Sequence, residues 1–199
     1  MDEIKLIQDA RRGDVDAFNL LVEAYQRRAY NLAYRLLGEV DAAADATQEA
    51  FISAYHHMEQ YRGGSFGGWL MRIVTNTCYD ERRRRKRRGE SSLEAITAEG
   101  ELTPRFLIQD HDDNPEQQAQ QSALSEAIQS CLNALGDDQR IVAILCDIQG
   151  YDYAEAAEIA GVALGTVKSR LSRARQSLRE CLRGIGELLP GSYRLKEEE

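Results

Sequence analysis

Apolar residues recur at spacings of three and four along most of the chain, a period that predicts amphipathic helices, with no convincing run of strand alternation. Phe18, Leu21, Val22, Tyr25, Ala29, Leu32, Ala33 and Leu36 form one such stripe, and Gly38 marks its exit. A second helix begins near Asp41 and carries Phe51, Ala54, Tyr55 and Met58 on one face of its later half. Tyr61 to Gly68 holds four glycines and reads as a loop; a third helix follows with Phe66, Trp69, Leu70, Ile73 and Thr77 aligned. Periodicity fades over residues 89–118 and then returns with Leu124, Ile128, Cys131, Leu132 and Leu135. Gly136-Asp137-Asp138 turns into a helix with Ile141, Ile144, Leu145 and Ile148, which Gly150 ends. The pattern predicts an all-α fold of two small helical domains, 1–88 and 119–183, joined by a flexible acidic linker (89–118) and followed by a short tail (184–199).

Residues 152–182 carry the most specific pattern. Asp152 can cap a short helix, with Glu155 completing a capping box, and Ala156, Ala157, Ile159 and Ala160 give that helix a small apolar face. Gly161 breaks it at a tight turn. A second helix runs from about Thr166, burying Val167, Leu171, Ala174, Leu178 and Leu182. Between Gly161 and Arg183 stand six basic residues and one acidic residue, Glu180. A short helix, a turn glycine and a Lys/Ser/Arg face together form a helix-turn-helix suited to a DNA major groove; charge alone would fit a solvated basic hairpin equally well.

The net charge of −8 sits oddly with DNA binding until it is localised. Arg82 to Arg88 is an unbroken basic run of seven, whereas residues 89–118 hold eight acidic residues against Arg105 alone. Global acidity disfavours indiscriminate coating of DNA, while two basic regions remain for phosphates. No apolar stretch approaches the roughly 20 residues that cross a bilayer, so no membrane insertion is expected. The acidic N-terminus lacks a signal-peptide pattern, and the chain reads as cytoplasmic. Cys78, Cys131, Cys146 and Cys181 lie far apart; Cys131 and Cys146 fall on apolar faces, which predicts buried free thiols rather than a disulfide or a zinc site. There is no P-loop and no metal-ligand cluster, and none of the three histidines (His56, His57, His111) accompanies a nucleophile. No catalytic site, metal or cofactor is expected.

The ordered motifs resemble one family, the bacterial extracytoplasmic-function sigma factors. Ala17-Phe-Asn-Leu-Leu-Val-Glu-Ala-Tyr25, Asp45-Ala-Thr-Gln-Glu-Ala-Phe51, Tyr61-Arg-Gly and Trp69-Leu-Met-Arg-Ile-Val-Thr-Asn76 are similar to the family's second conserved region. Leu135-Gly-Asp-Asp-Gln-Arg140, Asp147-Ile-Gln-Gly-Tyr-Asp-Tyr-Ala-Glu155 and the run Ile159 to Arg175 are similar to its fourth. The resemblance covers about residues 16–88 and 120–183. A helix-turn-helix recurs in other regulators, but both regions in order are strongly specific.

The resemblance implies a dissociable promoter-specificity subunit of bacterial RNA polymerase. On the family's pattern Lys168, Ser169, Ser172 and Arg173 meet base edges of the −35 element, while Thr166, Arg170 and Arg175 hold phosphates. Ser172 stands where relatives often carry a bulky residue, so the −35 sequence does not carry over. The −10 element must be opened, and its unpaired bases need a pocket. The positions that correspond to the family's pocket are Tyr61, Arg62, Gly63, Gly64, Ser65, Phe66 and Asn76. Tyr61 or Phe66 can stack on a base, although Phe66 suits the core equally and Trp69 suits it better. Asp45, Gln48 and Glu49 match the polymerase-binding helix that docks on the clamp helices of the largest core subunit. The basic run Arg82–Arg88 would lie beside promoter DNA. An anti-sigma factor is a further partner implied by the resemblance. The contrasting expectation is a stand-alone duplex-binding regulator, in which Asp45–Phe51 and Tyr61–Asn76 would have no task.

Overall fold

Asp2 opens the chain's first helix, α1 (Glu3–Arg11), an element beyond those expected, by accepting a hydrogen bond from the Lys5 N–H. This computed structural model describes residues 2–89 and 115–184, with side chains described for 2–87 and 123–184. Residues 90–114 of the expected linker and 185–199 of the expected tail lie outside the described residues. Among the described residues there is no strand.

In α2 (Val15–Leu37) the Asp14 carboxylate accepts from the N–H groups of Asp16 (2.9 Å) and Ala17 (3.1 Å), satisfying donors that the first helical turn leaves orphaned. The helix ends at Gly38, whose φ of 80° is a left-handed conformation that glycine adopts without strain. Helix α3 (Val40–His56) buries Ala42, Ala43, Ala46, Ala50 and Ala54, so α2 and α4 pack closely against it over small side chains. Phe18, Leu21, Leu32, Leu36 and Phe51 fill the remaining space, each contributing roughly 1.5–3 kcal/mol by leaving water.

Helix α4 (Phe66–Gly89) starts earlier than its glycines suggest. Ser65 caps it, its Oγ accepting from the Gly68 N–H at 3.0 Å, so Gly67 and Gly68 belong to the first helical turn and the loop ends at Ser65. Gly67 lies close under Tyr25: a Cβ there would stand 2.9 Å from Tyr25 Cε1, so the ring would have to shift. The buried stripe of α4 is Phe66, Leu70, Met71, Val74 and Cys78, with Ile73 and Thr77 only half-buried at its margin. Burial pushes the Cys78 thiol up to about 12 against the opposing pull of Arg82, which keeps it protonated and unreactive at neutral pH.

The chain divides into two compact units, one built on α1–α4. The body of the other is α5 (Pro115–Ala134), α6 (Asp137–Ala143) and α8 (Leu164–Arg183), with the short α7 (Tyr153–Ala160) before α8. Helix α5 begins inside the stretch expected as linker. Its C-terminus is closed by Arg140, a buried guanidinium that donates to the carbonyls of Leu132 (2.7 Å), Asn133 (2.6 Å) and Leu135 (2.9 Å). A cation at a helix C-terminus both satisfies orphan carbonyls and meets the negative end of the helix dipole. After α6 the backbone widens into a π turn over Ile144–Ile148, in which the Gln149 N–H reaches back to the Ile144 carbonyl at 2.8 Å. That extra residue rotates Ile148 out of the expected stripe and leaves it 44% exposed.

Cys131 is not the buried free thiol that its apolar face predicts. Cys131 of α5 and Cys181 of α8 form a disulfide, with Cα atoms 5.8 Å apart. α5 and α8 pack on each other and bring together residues separated by 50 positions. Cys146 is free but only half-buried.

Candidate nucleic-acid interfaces

The helix-turn-helix is assembled from local bonds. Asp152 Oδ1 accepts from the N–H groups of Ala154 and Glu155, both at 2.8 Å, and Glu155 Oε2 accepts from the Asp152 N–H at 3.0 Å, a complete capping box. At the other end of α7 the Val162 N–H donates to the Ala157 carbonyl and the Gly161 N–H to the Glu158 carbonyl, with Gly161 at φ 66°. This Schellman closure lets α8 start at Leu164, somewhat before the expected Thr166.

Val167, Leu171 and Ala174 bury one face of α8, while Leu178 and Leu182 are half-buried. Lys168, Ser169, Ser172 and Arg173 are all exposed on the outward side, and Gln176 extends that surface by one turn. Thr166 is half-buried, and its carbonyl accepts from Ser169 Oγ at 3.0 Å. The two arginines expected at phosphates are engaged within the unit. Arg170 Nη2 donates to Asp138 Oδ2 at 2.6 Å. Arg175 makes a two-pronged contact with Asp147, through Nη2 at 2.6 Å and Nε at 3.1 Å. The hydrogen bond to Asp147 holds the Arg175 guanidinium above its ordinary pKa, with Tyr153 adding to the effect. No ion pair engages Lys168 or Arg173 among the described residues.

In the first unit, the loop before α4 is closed by Tyr61, whose hydroxyl donates to the Gly64 carbonyl at 2.7 Å. Gly63 (φ 98°) and Gly64 (φ 90°) supply left-handed turns that a side chain would strain. Tyr61 is 5% exposed and Phe66 3%, so neither ring presents a free face for a base in this conformation. Both belong to an aromatic cluster with Trp69 and Tyr25, at centroid separations of 5.4 to 5.7 Å. Burial pushes the Tyr61 hydroxyl above its ordinary pKa. Arg62, Gly63, Gly64 and Ser65 are exposed around this cluster. Asn76 is also exposed, but it lies about 15 Å of helix rise beyond Phe66, so the structure does not bring the loop and the Asn76 amide together in one pocket. Arg72, one turn before Asn76 on the same face, is exposed as well; its i−4 spacing was the available signal.

Asp45, Gln48 and Glu49 stand together on the exposed face of α3. Glu49 lies 3.4 Å from Arg84, an exposed contact that contributes little to stability. The basic run is not a uniform strip. Arg82 donates to the Leu36 carbonyl at 3.0 Å, closing the end of α2, and Arg85 pairs with Glu81 and Glu39. Arg83 is exposed and pairs with Asp80 at 3.3 Å, and Lys86 and Arg87 are exposed.

Comparison with known proteins follows the same division. Residues 21–88 match the family model for Sigma-70 region 2, and residues 125–178 match that for Sigma-70, region 4. The chain is 41% identical to the ECF RNA polymerase sigma factor SigE of Mycolicibacterium smegmatis over 81% of its own length and 60% of that protein's. It is 37% identical to the ECF RNA polymerase sigma factor SigW of Bacillus subtilis, over 91% of this chain and 97% of the relative. Among solved structures it resembles the sigma factor RpoE of Bartonella quintana, crystallised with the anti-sigma factor NepR, at 28% identity and a TM-score of 0.66. That match covers 84% of this chain and 98% of the other.

Proposed function

The chain belongs to the ECF family of RNA polymerase sigma factors, the promoter-specificity subunits of bacterial RNA polymerase, and we propose that its two units divide promoter recognition between duplex reading and strand capture. The observation that carries this reading is the outward face of α8, where Lys168, Ser169, Ser172 and Arg173 are exposed together on a buried helix-turn-helix frame. In this reading α8 enters the major groove of the −35 element, and each good bidentate contact from Lys168 or Arg173 to guanine discriminates by roughly 1–3 kcal/mol. Thr166, Arg170 and Arg175 set its register on the backbone.

The first unit takes the −10 element after opening. Arg62, Gly63, Gly64 and Ser65 form the rim of the pocket and Tyr61 and Phe66 its aromatic wall; Asn76 adds an amide donor and acceptor farther along α4. Because both rings are buried, a captured base would rest against the closed aromatic cluster or require the Tyr61–Gly64 bond to open. Asp45, Gln48 and Glu49 form the docking face for the clamp helices of the largest polymerase subunit. The protein acts in the cytoplasm without catalysis of its own, over domain limits of 1–88 and 119–183. No described helix is long and apolar enough to cross a membrane. An anti-sigma factor completes the set of partners, a reading supported by the Bartonella relative's complex with NepR.

Run-off transcription of genomic DNA by sigma-free bacterial core polymerase, with and without this protein, tests the reading. New 5′ ends that share two upstream elements are expected. Duplex binding unaffected by core enzyme, with no new starts from native-host polymerase, would instead make the chain a stand-alone regulator.

A further inference from the structure

The four basic residues of α8 with an assigned DNA contact fall into two classes by what they touch. Lys168 and Arg173, assigned to bases, form no ion pair among the described residues. Arg170 and Arg175, assigned to phosphates, each hold a carboxylate at 2.6 Å. The carboxylates come from outside α8: Asp138 from the first turn of α6 and Asp147 from the π turn, 32 and 28 residues before their partners. Neither pair is a helix-local i,i+4 contact that any charged helix would show. Asp138 is 70% exposed, so burial does not force its pairing.

We propose that Asp138 and Asp147 are internal counter-ions for the recognition helix: they occupy the arginines that would otherwise grip any DNA phosphate, and so weaken the sequence-independent part of its DNA affinity and flatten its salt dependence. The inference rests on the assignment of α8 as the −35 reader. Its physics is an exchange of anions. When Arg170 or Arg175 turns to a phosphate it leaves a carboxylate beside that phosphate, so the net charge brought to the backbone is near zero. Counterions released from the DNA are then offset by counterions recruited to the freed carboxylate, and the salt dependence of binding flattens. Lys168 and Arg173 bear no such offset, so the contacts that distinguish bases keep their full strength. Arg170 and Arg175 meet phosphates in specific and non-specific complexes alike, so the offset lowers both affinities and leaves their ratio to the base contacts.

The test uses holoenzyme assembled from the full chain and bacterial core polymerase, with core alone as the baseline. Binding to a randomised 30-base-pair duplex pool is followed against salt, and the bound fraction is sequenced. Exposed ion pairs of this kind shift affinity by up to about fivefold each. The double variant Asp138→Asn, Asp147→Asn is expected to bind the pool about tenfold more tightly at low salt. Its salt slope should steepen by up to about 1.8, close to 0.9 for each phosphate gained. Enrichment of the −35 motif should stay at the wild-type level, since the freed arginines touch no base, and Asp138→Glu with Asp147→Glu should restore the wild-type affinity and salt slope. Pool affinity that is unchanged or weaker in the Asn variant, at a wild-type melting temperature, overturns the proposal. A variant that melts early is replaced by Asp138→Asn alone, which should still tighten binding by up to about fivefold; no tightening is again a refutation. Lys168→Ala with Arg173→Ala serves as the separate control on the underlying assignment. If it leaves the enriched motif untouched, α8 is not the reader and the proposal falls with it.

Discussion

The two units solve the same problem, holding a reading surface steady, by different means. The α1–α4 unit relies on close packing: an alanine face on α3 lets α2 and α4 approach, and its loop is shaped by glycines and one tyrosine hydrogen bond. The α5–α8 unit has an arginine-closed helix end and ion pairs, as Arg82–Leu36 and Arg85–Glu39 give the first unit, but adds a disulfide from α5 to α8. Small domains bury a smaller fraction of their surface and gain more from such bonds. The comparison teaches that the helix-turn-helix unit is tied covalently to its reading helix, whereas the loop before α4 is held by packing and hydrogen bonds alone.

Arg140→Ala should separate the units most sharply. It leaves the carbonyls of Leu132, Asn133 and Leu135 without their donor, at a cost of about 3–5 kcal/mol. Trp69, the chain's single tryptophan, lies in the first unit. Circular dichroism should therefore show an early loss of helix while the Trp69 fluorescence transition stays in place; a joint shift of both would mean that the units melt together. Cys131→Ser should lower the stability of the second unit by about 2–4 kcal/mol through the loop that the bridge closes. A dithiol reductant should reproduce that shift in the wild-type chain and leave the variant unchanged.

A smaller change in binding is expected from Arg173→Ala. It should cost roughly 1–3 kcal/mol at an intact −35 element, measured as reordered promoter preferences in competitive run-off transcription. Unchanged ranking would remove Arg173 from the base-reading set. Gly64→Ala is the mildest. Its site is open but its φ is 90°, so it should destabilise the first unit by about 1 kcal/mol and lower the Trp69 transition alone.

Features written within a few residues were legible in the chain, and features written across it were not. The Gly38 exit, the Asp152–Glu155 box, the Gly161 turn and the outward face of α8 each rest on contacts between near neighbours. α1 is not legible from periodicity because its apolar positions Ile4, Leu6, Ile7 and Ala10 span barely two turns, and Ile4 is exposed. Ile148 kept the right spacing for burial, but the π turn inserted one residue and turned it to solvent. The Cys131–Cys181 bridge and the Asp138–Arg170 and Asp147–Arg175 pairs join positions 28 to 50 apart, which no local period reveals. At the loop, the aromatic residues were visible as candidates, but their enclosure depends on Tyr25 and Trp69 from other turns of the fold.

The most direct measurement is permanganate reactivity of −10 thymines, beside nuclease protection of the −35 duplex, on a mapped promoter with holoenzymes carrying Asn76→Ala or Arg173→Ala. A division of labour predicts that Asn76→Ala loses thymine reactivity with upstream protection intact, and that Arg173→Ala loses upstream protection first. Full thymine reactivity with Asn76→Ala, or equal loss of both signals in both variants, would contradict it.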